Sequence, residues 1–206
     1  MKIVRLFLVL ALIPLAVRAQ TIVGWNNLGM HCMDADYSVF SILPPYNTIE
    51  AQLIVNGHLA VSSNGYTVTY QAVADPGGSF NSTAMGKGNY YDFATALYGP
   101  VLPPEAGLAG WSMPGTNNTP QHMWFENTNY PKPTAPTSVN WWRAEGIPIS
   151  PYDDAHQKNP YPLMLLVARD AANNIIATNQ VVLPVSDEMD CRACHASGAP
   201  TNEVGS

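Results

Sequence analysis

Charged residues are scarce in this chain: Asp, Glu, Lys and Arg make up 12% of its 206 residues, and Lys and Arg together number nine. With a formal net charge of −6, it lacks the basic surface that nucleic acid or anionic lipid requires. Cysteine is rarer still, at Cys32, Cys191 and Cys194. An exported fold held by disulfides carries a larger and even number, so that class is excluded. Beyond the first twenty residues no apolar run approaches the ~20 residues of a membrane-spanning helix. No segment sustains a helical period, which argues against a helical bundle. There is no internal repeat, no phosphate-binding glycine loop, no nucleophile and base pair and no paired carboxylates whose placement the sequence can defend.

The N-terminus supplies the first positive signal. "MKIVRLFLVLALIPLAVRAQ" carries Lys2 and Arg5, an apolar run from Leu6 to Val17, and small residues at Val17 and Ala19. This is the layout of a secretory signal peptide over residues 1–19, cleaved after Ala19. Cleavage removes three cations, Lys2, Arg5 and Arg18, taking the formal charge from −6 to −9. The mature chain is therefore expected outside the cytoplasm, periplasmic or extracellular, without stable membrane insertion.

The mature chain reads as mainly β, an immunoglobulin-like β-sandwich over residues 20–186. "TIVGW" (21–25), "AQLIVNG" (51–57) and "YTVTYQAVAD" (66–75) have strand character, with a short strand and an Asn64-Gly65 turn between the last two. "PLMLLVARDAANNIIATNQVVLPVS" has the form of a hairpin around "DAANN", and its unbroken "LMLLVA" suggests a strand covered on both faces. Residues 100–162 hold 12 of the 18 prolines together with Trp111, Trp124, Trp141 and Trp142. Proline at that density predicts an ordered but irregular insertion, with the tryptophans packed over an edge or end of the sandwich.

The chemistry concentrates in "SDEMDCRACHASGAP", residues 186–200. Ser186 is a good helix N-cap, followed by Asp187, Glu188 and Asp190, with Gly198 and Pro200 as stops. A short helix from Asp187 to Ala196 would set Cys191, Cys194 and His195 on one turn, the two thiols on one face. Two thiols at that spacing can add to the vinyl groups of a porphyrin while the adjacent imidazole ligates its iron. Residues 187–206 thus read as a haem-attachment segment, with Cys191 and Cys194 as thioether donors and His195 as the proximal ligand of haem c. A zinc site completed by His31 or Cys32, or a simple Cys191–Cys194 disulfide, are the competing readings.

A second axial position needs a ligand or stays open. His31 lies in "GMHCMD", where Met30, His31, Cys32 and Met33 put four soft or borderline donors in succession. It is the first candidate for the distal ligand, and His122 in "TPQHMWF" is the second. Cys32 has no partner left once Cys191 and Cys194 are in thioethers, and reads as a buried thiol or a metal-bound thiolate.

Together, "GWNNLGMHCMDADYSVFSILPPYNTIEAQLI" (24–54) and "VVLPVSDEMDCRACH" (181–195) resemble exported bacterial cytochrome c proteins. In these a block like LGMHCMD and FSILPPYNT precedes a β-rich region and a Cys-x-x-Cys-His motif. The resemblance implies haem attachment at Cys191 and Cys194 with His195 as axial ligand, and it brings no substrate. Such proteins continue well past the motif, whereas eleven residues follow His195 here. Either the sandwich covers the far face of the porphyrin, or the sequence is the N-terminal portion of a longer, multi-haem protein.

The expectation is an exported c-type cytochrome, an electron carrier rather than a catalyst, exchanging electrons with redox partner proteins such as other cytochromes. One rival is a non-redox sandwich that displays Trp111, Trp124, Trp141 and Trp142 to a polymer or cell surface. Another is a zinc or copper protein, or a metal-dependent enzyme, using "GMHCMD" with Asp34 or Asp36.

Overall fold

The computed structural model describes residues 20–38, 43–129 and 139–187. In chain order the elements are β1 (Thr21–Asn26), β2 (His31–Cys32), β3 (Tyr46–Val55), β4 (His58–Leu59), β5 (Tyr66–Val73) and α1 (Tyr90–Tyr98). They continue with β6 (Gln121–His122), β7 (Trp124–Glu126), β8 (Trp141–Pro148), β9 (Leu163–Asp170), β10 (Ile175–Val182) and β11 (Val185–Ser186). The signal peptide and the expected Cys-x-x-Cys-His helix, from residue 188 on, lie outside the described residues.

The fold is mainly β, with two antiparallel sheets. The first runs β1-β3-β8-β7, with β4 folded back on the end of β3, and the second runs β10-β9-β5-β6. Alternation sets what faces inward. Ile49, Ala51 and Leu53 on β3 are fully buried, as are Trp142 and Ala144 on β8. Tyr70, Met164, Leu166 and Ala168 of the second sheet join them in one core. Gly24 marks the close approach of the two sheets: a Cβ there would stand 2.3 Å from Leu166 Cδ1 and 2.7 Å from Val181 Cγ2.

The hairpins follow their turn chemistry. Asn56 and Gly57, both at positive φ, close β3 onto β4. The Asn64-Gly65 pair turns the chain into β5, with the Tyr66 amide donating to Ser63 O at 2.9 Å. The long late hairpin is β9–β10, paired from Leu163↔Val182 to Arg169↔Ile175.

The proline-rich middle differs from expectation. It contains β6, β7 and β8, and β8 lies inside the first sheet between β3 and β7. Proline is unevenly spread there: "WWRAEGIP" has one, Pro148, at its last position, where it terminates rather than interrupts the strand. Helix α1 was also not legible as a period; its nine residues bury Tyr90 and Ala94 and stop at Gly99, which has φ +90°.

A third, minimal ladder joins the two ends of the described chain. β2 and β11 pair in parallel, with Val185 opposite His31 and Ser186 opposite Cys32. Ser186, expected as a helix cap, is therefore the last residue of a strand.

Candidate functional site

The β2–β11 corner pairs His31 and Cys32 of "GMHCMD" with Val185 and Ser186, a few residues before the Cys-x-x-Cys-His motif in sequence. The His31 amide donates to Pro184 O at 3.0 Å, and the Met33 amide to Ser186 O at 2.9 Å. The opposite side of the same segment is also bound: Leu183 N–H donates to Pro162 O and Val185 N–H to Pro160 O, at 3.0 and 2.9 Å. Asn47 Nδ2 adds a bond to Pro184 O at 3.0 Å. An extended segment held this way has little freedom left to move.

Its last described residue is clamped by side chains. Asp187 accepts a hydrogen bond from the Tyr152 hydroxyl at 2.5 Å and pairs with Lys158 Nζ at 2.9 Å. Burial works to raise the Asp187 pKa, but the Tyr152 and Lys158 contacts outweigh it and hold the carboxyl below its usual range. Its charge is thus compensated locally. Tyr152 and Lys158 were invisible to sequence reasoning, because they sit in the proline-rich stretch and meet Asp187 only through the fold.

His31 is half-buried and its pKa is lowered by that burial, against a raising hydrogen bond to Pro44. Nε2 lies 2.7 Å from Pro44 O and 3.0 Å from Tyr46 N. The Tyr46 amide is already 2.8 Å from Pro44 O. Nε2 is thus engaged by the Pro44–Tyr46 backbone, donating to Pro44 O in one tautomer and accepting Tyr46 N–H in the other, and Nδ1 is the ring nitrogen with no hydrogen bond among the described residues. In the tautomer that donates Nε2–H to Pro44 O, the ring is held as histidine ligands usually are, with the other N–H on a carbonyl or carboxylate.

The neighbours of His31 are divided in role. Cys32 is a half-buried free thiol, Met33 is buried, and Met30 is exposed. Asp34 is committed to the backbone, accepting Leu43 N–H at 2.7 Å. Asp36 accepts from Ser38 and from Asn89 Nδ2. Among the described residues no group of three or more His, Cys, Asp and Glu side chains gathers as a metal would need. His122 sits on β6, on the edge of the second sheet away from β11. Cys191, Cys194 and His195 lie outside the described residues.

Behind the corner stands a cluster of tyrosines. Tyr90 makes edge contacts with Tyr37, Tyr46 and Tyr91 at centroid distances of 5.2, 5.8 and 5.2 Å. Its hydroxyl bonds that of Tyr46, which also receives Leu108 N–H at 2.8 Å. Burial is the main cause raising the pKa of all four phenols, so they remain protonated. The cleft between Met33 and α1 encloses only about 20 Å³, room for one water.

Comparison with protein-family models, with curated proteins and with solved structures finds no match.

The tryptophans are not displayed as a set. Trp142 is core, packed on Phe125 at 4.6 Å, and Trp111 is half-buried. Trp141 and Trp25 meet edge to face on the outer side of the first sheet at 5.9 Å. Each donates its indole N–H to a buried carboxylate, Glu126 and Glu50, both at 3.0 Å. Arg143 lies between those carboxylates, 3.4 Å from Glu50 and 3.8 Å from Glu126. Of the four tryptophans in the proline-rich stretch, Trp124 alone is largely exposed. No helix among the described residues is long and apolar enough to cross a membrane.

Proposed function

We propose that this chain is an exported c-type cytochrome, an immunoglobulin-like sandwich that carries haem covalently and passes electrons to a redox partner protein. The observation that carries the reading is the parallel β2–β11 pairing. It fixes the segment entering the Cys-x-x-Cys-His motif directly against the His31-Cys32 strand. In this reading the signal peptide directs the chain to the periplasm or cell exterior, where such attachment takes place.

The donor set suits the group. Cys191 and Cys194 would form the two thioethers, His195 would be the proximal ligand, and His31 would offer Nδ1 as the distal one, its Nε2 held by Pro44. Haem supplies a one-electron iron couple when bound. The protein's part is to hold the attachment segment through Asp187, keep the His31 imidazole neutral by burial, and exclude water with the buried tyrosines.

Expression in a host that matures cytochromes c, followed by a visible spectrum in denaturant, tests this directly. A Soret band that remains with the unfolded polypeptide is the expected result, and its loss on denaturation overturns covalent attachment. His31→Ala is then expected to convert a low-spin spectrum to high-spin; an unchanged low-spin spectrum removes His31 as the distal ligand.

A further inference from the structure

The opposite end of the sandwich contains a cavity that this function does not use. It is open to the surface, has a volume of about 290 Å³, and spans both sheets where the chain crosses from one to the other between β6 and β7. Its inner wall is Val68, Met123, Phe125 and Trp142. The Met123 amide donates to Val68 O at 2.9 Å, which pins the crossover to β5. Ser63, Tyr66 and His122 stand around it with hydrogen-bonding atoms. Tyr66 is opposite Asp170 in the β5–β9 ladder, whereas β11 follows the other end of that ladder, at Leu163↔Val182. Cavity and β11 thus lie at opposite ends of the β5–β9 ladder.

We propose that this cavity binds a small neutral aromatic molecule of two fused rings bearing one hydroxyl or N–H. Four observations select that class. Among the described residues no Asp, Glu, Lys or Arg lines the space, so an ionised ligand would be desolvated without a counter-charge. The walls include the rings of Tyr66 and Trp124, with Phe125, Trp142 and Met123 behind them, which favour ring and sulfur contacts. The volume is about twice the ~150 Å³ that accommodates benzene in an engineered apolar cavity. Ser63, Tyr66 and His122 provide partners for a single polar substituent, the usual division of labour in a preformed ligand site.

The test uses the full chain and 2-naphthol as probe, followed by isothermal titration and by saturation-transfer NMR. One-site saturable binding is expected. Ser63→Trp, an exposed rim substitution compatible with folding, and Val68→Phe, which fills the floor, should each weaken it about tenfold or more. 2-Naphthoate, the same rings with a charge, should bind about tenfold more weakly. Absence of saturable 2-naphthol binding, or affinity unchanged in folded Ser63→Trp, overturns the proposal. Equal binding of 2-naphthoate overturns the neutral-ligand class, and glucose binding in place of 2-naphthol would assign the cavity to sugars instead. None of these readouts depends on haem, so the cavity stands or falls apart from the cytochrome reading.

Discussion

Gly24 shows what a single residue can carry without looking special. In "TIVGW" it reads as a weak point in a strand, since glycine adds backbone entropy and no packing. In the structure it is the contact point between sheets, with no room for a side chain beside Leu166 and Val181. Gly24→Val should destabilise the protein by about 1–3 kcal/mol through overpacking, measured as a lower urea midpoint with an unchanged slope. Nothing near Gly24 in sequence signals this, because its neighbours come from β9 and β10. His31 is the contrasting case. Its place among soft donors was legible, but its bond to Pro44, which commits one ring nitrogen, depends on how the 43–46 turn folds back.

Among the elements, legibility followed length and period. The eight- and ten-residue strands β3, β5, β9 and β10 announce themselves by alternation or by unbroken apolar character. β2, β6 and β11 have two residues each, and two residues contain no period. Such strands exist because a partner edge lies beside them. β8 was hidden for another reason: its surroundings are proline-rich, and composition averaged over the stretch concealed an eight-residue segment with one terminal proline. The short β11 depends on its clamp, which gives a prediction. Asp187→Ala should speed hydrogen exchange at the Val185 and Met33 amides while leaving β9 and β10 amides unchanged, and equal change throughout would show that the clamp acts globally.

For the molecule as a whole, titration should appear in two stages. His31 has a folded pKa below its unfolded value near 6.5, so the unfolded chain takes up the proton first. Stability is complete above that value and declines as pH falls towards the folded pKa. Asp154 and Asp187 are also depressed: burial alone would raise them, but Lys87 and Ser82 in one case, and Tyr152 and Lys158 in the other, prevail. Their stabilisation is present above about pH 3.9 and is lost as pH drops through their lower folded values. Urea unfolding of the haem-free chain across pH 3–8 should show both declines, and His31→Gln should abolish only the upper one.

The ladder at the β2–β11 corner also orders events in time. Asn47 and Pro184, bonded there, are 137 positions apart, so the corner closes a very long loop. Contacts of that separation form late, after the hairpins β3–β4 and β9–β10 have paid little entropy to close. The strand carrying His31 therefore waits with an open edge through most of folding. β11 reaches it only once that loop has closed, so protection of the Met33 amide, bonded to Ser186 O, should appear after that of the β9–β10 hairpin amides.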